Sequence, residues 1–318
     1  MSALEQYNSD APRLRSKRRG VWVASSVLIA LLSLSGGGCS MPRYAMSLDD
    51  ALKQEGKRPR TRYGYRCTVG AHRGASERYP ENTMAALKAA ELDRKYAFIE
   101  FDVQYSKEGQ VVVFHDRTLF RRFGSMKAVG DTTVSEMQEI AGGEIAVYGN
   151  VMGALTKRLN IEIKSQDDVH DDARLVDEIV ADLRARKRDK DVLISSISSD
   201  VVAYVNRVYP EMPTGQIFWL TSSTYLHFDG LTQKLYDDIR ETEADYLMLH
   251  VSNLRNIDDL LKLKPKGKTV VFWDFDDTMY LVHKDGSDRL WGDSGLRTFW
   301  KSARYRLSAP FQRSPSEE

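Results

Sequence analysis

The chain has 318 residues, 42% of them hydrophobic, and 46 basic against 45 acidic side chains leave a net charge of +1. That balance provides no bulk field for a nucleic-acid partner, and the length suits one large domain or two small ones. Only Cys39 and Cys67 are present, which rules out a disulfide framework and a cysteine-based metal site.

Residues 1–41 read as a leader. A polar stretch ends in Arg15, Lys17, Arg18 and Arg19, Val21 to Leu34 is uncharged and mostly apolar, and Ser35-Gly36-Gly37-Gly38-Cys39 follows. The apolar stretch rises about 21 Å as a helix, short of the roughly 30 Å hydrocarbon core, but extended through Met41 it would span as an uncleaved anchor with its basic end in the cytoplasm. Gly-Gly-Gly-Cys also resembles a bacterial lipoprotein cleavage box, with Gly36 where a leucine is expected. The expectation is an exported, membrane-attached protein on the periplasmic or cell-envelope face, held either by a lipidated Cys39 or by a plain anchor. Residues 42–64 are polar and basic and read as a tether, 65–300 as the folded domain, and 301–318 as a tail.

Within 65–300, strand-like runs alternate with helical patterns. Strands are expected over Cys67–His72, Ala97–Tyr105, Val111–His115, Leu159–Ile163, Val192–Ile197, Thr214–Leu220, Asp245–Val251, Thr269–Phe275 and Asp288–Gly292. Helices are expected over Thr83–Leu92, Val134–Ile140, Asp171–Arg186, Asp200–Tyr209, Thr232–Glu243 and Ile257–Leu263. Lys107-Glu108-Gly109-Gln110 is too short for a parallel crossover, so Val111–His115 is an antiparallel arm folded back on the second strand. Eight strand-and-helix repeats remain, the count of a (β/α)8 TIM barrel in the α/β class. The competing doubly wound sheet calls for a glycine-rich nucleotide turn after its first strand, where this chain has His-Arg-Gly-Ala-Ser-Glu. The basic run Arg184 to Lys190 ends an amphipathic helix with Leu175, Val176, Ile179, Val180 and Leu183 on one face, so its charge complements the helix dipole.

Charged clusters punctuate the first half: His72-Arg73-Gly74, Glu81-Asn82, Glu100-Phe101-Asp102, His115-Asp116 and Glu162-Ile163-Lys164. A strand sends alternate side chains to one face, so Glu100 pairs with Asp102 and Glu162 with Lys164. At the C-terminal ends of barrel strands these groups converge on one pocket. Glu100, Asp102 and Glu162 would supply hard oxygen ligands to Mg²⁺ or Ca²⁺. Arg73 offers a planar fork for phosphate oxygens, or a partner for Glu81, and Lys164 a point charge. His72 and His115 form a proton-transfer pair, since imidazole titrates near neutrality. Asp116 has two readings, a group that orients His115 or the start of the next loop, and the loop is the preferred one.

In order, Ala-His-Arg-Gly, Pro80-Glu81-Asn82-Thr83, Ile99-Glu100-Phe101-Asp102-Val103, Val113-Phe114-His115-Asp116 and Asn160-Ile161-Glu162-Ile163-Lys164 resemble the glycerophosphodiester phosphodiesterase family. The resemblance implies a metal-dependent (β/α)8 enzyme that releases glycerol 3-phosphate and an alcohol. Carried over position by position, His72 and His115 become acid and base; Glu100, Asp102 and Glu162 become metal ligands; and Arg73 and Lys164 hold the phosphate. Glu81 supports the metal shell or Arg73. The second half departs: a Trp-Thr-Val-Asn-like strand becomes Trp273-Asp274-Phe275-Asp276, and a closing Thr-Asp pair becomes Gly292-Asp293-Ser294. Gly142 to Leu159 is short for the helix expected before the next strand. Trp273 would form an apolar wall for the glycerol or the leaving group, or simply pack. Asp274-Phe275-Asp276-Asp277-Thr278 also looks like the first motif of haloacid-dehalogenase-type phosphatases, but too few residues follow it for that fold. Two alternatives stand: a lysophospholipase D or sphingomyelinase D-like enzyme acting on a membrane lipid, and a non-catalytic membrane-attached binding module. The expected partners are a small glycerophosphodiester or lysolipid and a membrane, with no nucleic acid.

Overall fold

Strand formation follows the apolar runs closely. The structure, a computed structural model, describes residues 65–220, 230–250, 253, 264–273, 278–284 and 290–291. The chain divides into two compact units, Met1–Met46 and Ser47–Glu318, and everything described belongs to the second. The expected leader, the tether, the tail, the helix at 257–263 and the acidic run 274–277 lie outside the described residues. Among the described residues no helix is long and apolar enough to cross a membrane.

Ten strands form one sheet: β1 (Tyr65–Ala71), β2 (Phe98–Tyr105), β3 (Val111–Val113), β4 (Ala146–Val147), β5 (Arg158–Ile163), β6 (Val192–Ser196), β7 (Thr214–Phe218), β8 (Tyr246–His250), β9 (Thr269–Trp273) and β10 (Thr278–Lys284). Strands β2, β5, β6, β7, β8 and β9 are successive parallel neighbours, and β1 is parallel to β2. Strand β10 pairs antiparallel with both β9 and β1 and closes the barrel at eight strands. The expected (β/α)8 barrel is therefore present, with one correction. Its eighth strand is β10 rather than Asp288–Gly292, and it runs antiparallel. Only residues 274–277 separate Trp273 from Thr278, too few for a parallel crossover.

The arm after β2 is as the short turn requires. Gly109 takes φ +77°, its N–H donates to Ser106 O at 2.9 Å, and Val111–Val113 lies antiparallel on Val103–Tyr105. The arm is extended by β4, so two short strands sit outside the barrel. Helices α1 (Met84–Leu92), α2 (Phe120–Phe123), α3 (Val134–Ile140), α4 (Tyr148–Ala154), α5 (Val169–Ala185), α6 (Ser199–Val208) and α7 (Gly230–Glu241) connect the strands. The short segment 142–159 still holds a helix, α4, of two turns.

Sequence patterns explain these helices. Asp168 caps α5 by accepting from His170 N and Asp171 N, and Leu175, Val176, Ile179, Val180 and Leu183 bury the face towards the sheet. The three arginines of the basic run at its end are paired. Arg184 pairs with Glu211, Arg186 with Asp182, and Arg188 donates to Leu155 O and Lys157 O.

Alternation along β2 puts Phe98, Glu100, Asp102 and Gln104 inside the barrel. All eight residues of that strand are buried, because helices cover its other face. Near the N-terminal end the interior is filled by Phe98, Leu193, Tyr246, Met248, Val271 and Leu281, with Trp291 edge-on to Phe98 at 4.9 Å and its Nε1–H donating to Asp191 O at 3.0 Å. That apolar plug leaves the opposite end for polar chemistry. Gly70 is obligatory in this packing, since a Cβ there would lie 2.1 Å from the Phe98 ring. Gly70→Ala is expected to cost about 2 kcal/mol, the scale of overpacking a dense core, as measured by chemical denaturation.

Candidate active site

Six of the nine singled-out residues stand at the C-terminal ends of β1, β2 and β5. His72 and Arg73 follow β1, Glu100 and Asp102 face inward from β2, and Glu162 and Lys164 close β5. Strand register places Asp102 directly beside Glu162. Oxygen atoms of Glu100, Asp102 and Glu162 lie within 4.8 Å of one another, and all three residues are buried.

Compensation of that buried charge shapes the surroundings. Lys164 Nζ lies 2.8 Å from Asp102 Oδ1 and also pairs with Glu162. Arg73 adopts φ +58°, uncommon for a side-chain-bearing residue, and thereby donates its backbone N–H to Glu100 Oε2 at 2.7 Å. Its guanidinium reaches Asp102 Oδ2 at 3.5 Å through Nε and donates to Glu81 Oε1 at 3.1 Å through Nη1. Glu81 thus supports Arg73 directly.

Burial alone would push every carboxylate here towards its neutral form. For Asp102 the charges of Lys164, His115 and Arg73 outweigh burial and hold its pKa well below the ordinary value. Glu100 goes the other way: burial and repulsion from Asp102 and Glu162 raise it well above the usual carboxylate range. Glu162 is raised too, by burial first, against the pull of Lys164. Burial would discharge Lys164, but Asp102 and Glu162 overcome it and raise its pKa.

Three carboxylates face only two cations, so full ionisation would leave one negative charge uncompensated, which is why Glu100 is pushed towards its neutral form, and buried Glu100 Oε1 has no hydrogen-bond partner. Hard oxygen donors, more carboxylates than cations and an orphaned oxygen together suit a divalent cation, whose charge would favour their ionised forms.

His72 is buried, with Nε2 4.0 Å from Glu100 Oε2 and its ring 6.0 Å from that of Trp273. His115 reaches the site from the arm, close enough that its charge favours ionisation of Asp102 and Glu162. Its position depends on Asp116 and on two residues that sequence reasoning passed over, Gln104 and Arg121. Gln104 donates through Nε2 to Phe114 O at 2.7 Å and Asp116 O at 3.0 Å, fixing the backbone on either side of His115. Of the two readings of Asp116 the orienting one holds: it bonds His115 Nδ1 through Oδ1 at 2.6 Å. Arg121 Nε donates to the other oxygen of Asp116 at 2.6 Å, and its remaining nitrogens grip Glu81. Despite burial, the bonds from His115 and Arg121 lower the Asp116 pKa to about 2. An ionised carboxylate only accepts, so Nδ1 carries the proton and Nε2 is left to act.

Asn82 was also passed over as a site residue. It takes φ +58°, its N–H donates to Arg73 O at 3.0 Å, and its Nδ2 donates to Asp102 Oδ2 at 2.6 Å. A Glu-Asn pair immediately before the helix cap Thr83 was the available signal. Trp273 borders the site; its ring lies beside those of His72, His250 at 4.7 Å and Trp219 at 5.4 Å.

Fold and site together define a barrel enzyme that acts on phosphoric diesters. A sequence profile of the glycerophosphoryl diester phosphodiesterase family matches residues 72–294. A glycerophosphodiester phosphodiesterase of Bacillus subtilis is 26% identical over 67% of this chain and 85% of its own length. A human lysophospholipase D is 27% identical over 51% of this chain and 56% of its own length. Among solved structures, a glycerophosphodiester phosphodiesterase from Thermotoga maritima superposes with a TM-score of 0.50 at 25% identity, covering 65% of this chain and 85% of that one. The chain belongs to the glycerophosphoryl diester phosphodiesterase family.

The ionised Asp116 supports the native state above the ordinary carboxyl pKa of 3.8, and that support is lost as pH falls through about 2. A carbon-13 NMR titration is expected to place its midpoint near 2, and Arg121→Ala to move it upward.

Proposed function

We propose that the chain hydrolyses glycerophosphodiesters to glycerol 3-phosphate and an alcohol, with Mg²⁺ or Ca²⁺ held by Glu100, Asp102 and Glu162. The observation that carries this reading is the convergence of two histidines, three buried carboxylates and two buried cations at one end of the barrel. A sugar-phosphate binder needs the cations; it does not need two placed proton carriers. A phosphodiesterase from Oleispira antarctica, similar in fold, is solved with sn-glycerol-3-phosphate as product.

Arg73 and Lys164 would hold the phosphoryl oxygens. Both are kept protonated by the carboxylates around them, so their charge is fixed across the working pH range. His115, with Nδ1 held by Asp116, presents Nε2 to the substrate. His72, seated between Glu100 and Trp273, faces the reaction from β1. One imidazole takes a proton from the attacking water as its oxygen bonds to phosphorus, and the other delivers one to the alcohol oxygen as its bond to phosphorus breaks. A bound divalent cation supplies charge stabilisation for the phosphoryl oxygens. With a dication added, the inner cluster turns from net negative to net positive, matching a singly charged phosphodiester. To this reading we add attachment to a membrane through residues 1–41, which rests on their basic-then-apolar sequence alone.

The direct experiment is release of glycerol 3-phosphate from glycerophosphocholine by purified protein. His72→Ala and His115→Ala are each expected to lower kcat by roughly 10²- to 10⁴-fold, with circular dichroism unchanged; wild-type turnover in either would refute its role. Chelation by EDTA is expected to remove activity and Mg²⁺ or Ca²⁺ to restore it; full activity in chelator would remove the metal from the scheme.

A further inference from the structure

Lys164 directly follows β5, and the segment after it, Ser165-Gln166-Asp167, leads into the cap of α5. The ladder between β2 and β5 runs as far as Val103 opposite Ile163, and Lys164 N–H adds a rung by donating to Val103 O at 3.0 Å. In a parallel ladder the next rung would run from Tyr105 N–H to Lys164 O. A side chain stands in its place. Gln166 Oε1 accepts from Tyr105 N–H at 3.2 Å, and Gln166 Nε2 donates to Lys164 O at 2.6 Å. One amide thus satisfies both backbone groups at the point where the strands part.

Gln166 is itself held. Asp172, buried in the first turn of α5, accepts from Gln166 N–H through Oδ1 at 2.6 Å and from the Ser165 hydroxyl through Oδ2 at 2.9 Å. Ser165 Oγ in turn accepts from Asp167 N–H at 3.2 Å, and Asp167 takes φ +63°, which turns the chain towards the helix. A further hold, the pair of Arg117 with Asp167, is 65% exposed on both sides and contributes little. The bonds of Gln166 and Asp172 therefore decide where this segment lies. Lys164 Nζ reaches across from β5 to Asp102 on β2 at 2.8 Å, so its placement depends on the separation of the two strand ends, which the Gln166 amide sets.

We infer that Gln166, secured by Asp172, is a positioning residue for Lys164 and so governs how that cation meets the phosphoryl oxygens. The inference rests on the phosphodiesterase reading and adds two residues to the support of that same site. Its signature is a loss of phosphate affinity with proton transfer spared, because His72 and His115 come from other elements, β1 and the arm. A residue that only stabilised the fold would lower the amount of active protein and leave KM unmoved.

The test is steady-state hydrolysis of glycerophosphocholine at saturating Mg²⁺ by wild type, Gln166→Met, Asp172→Ala and Asp172→Asn. Gln166→Met keeps the length of the side chain and removes both of its bonds. KM is expected to rise about tenfold or more in Gln166→Met and in Asp172→Ala, with kcat changing less and the pH profile of kcat keeping its shape. Asp172→Asn still accepts from Gln166 N–H while its amide donates to the Ser165 hydroxyl, and is expected to stay near wild type. An unchanged KM in Gln166→Met, or a fall in kcat alone, overturns the inference; where Gln166→Met does not fold, the contrast between Asp172→Ala and Asp172→Asn decides in the same way. Absence of all turnover in wild type with metal supplied would defeat the phosphodiesterase reading instead. Calorimetric binding of sn-glycerol 3-phosphate then decides the positioning role: weaker binding by Gln166→Met upholds it, and equal or absent binding overturns it.

Discussion

A fully buried carboxylate cannot stay ionised without partners, and Asp102 is the point from which the site is built. Lys164 and Arg73 neutralise it and Asn82 donates to it. Those demands reach into the backbone. Arg73 and Asn82 both take left-handed conformations, and the loop they share is closed by Asn82 N–H donating to Arg73 O. The same geometry sends the Arg73 N–H to Glu100. Strain at two residues is thus tied to charge compensation at a third.

A second line of support runs outward from that centre. Glu81, held by Arg73, is also held by Arg121; Arg121 holds Asp116; and Asp116 holds His115. His115 comes from the arm and His72 from β1, so this chain of charge-assisted bonds fixes one relative to the other across separate elements. Gln104 secures the same segment from within β2. Positioning of His115 therefore draws on the charged core, on α2 and on a neutral amide.

Barrel closure and mouth chemistry are also linked. Two of the antiparallel pairings, β2 with β3 and β9 with β10, start from strands that reach the mouth and turn back within a few residues. The first brings a histidine to the rim. The second closes the barrel beside β1, so that Trp273 at the end of β9 stands next to His72. Polar groups gather on β1, β2 and β5, and aromatic groups on β7 and β9.

The strands from β1 to β9, except the two-residue β4, were legible because alternation and apolar runs are local properties, and the ends of most helices fell within two residues of their patterns. The hairpin arm was legible because a four-residue turn cannot cross a sheet. The same argument applied to 274–277 and was obscured by the acidic run, which drew attention as a motif and hid Thr278–Lys284 as a strand. The carboxylates, the cations and both histidines could be singled out, since charged residues on strand ends have few structural uses.

What the sequence by itself determined was the inventory: barrel strands, inward-facing carboxylates, and two histidines near strand ends, all following from the period of a strand. Only the tertiary structure decided the pairings. Asp116 orients His115, Arg121 joins Asp116 to Glu81, Asn82 serves Asp102, and Trp219 stacks on Trp273. Each of these joins side chains whose meeting depends on how strands and loops pack in three dimensions, and no local periodicity encodes that distance.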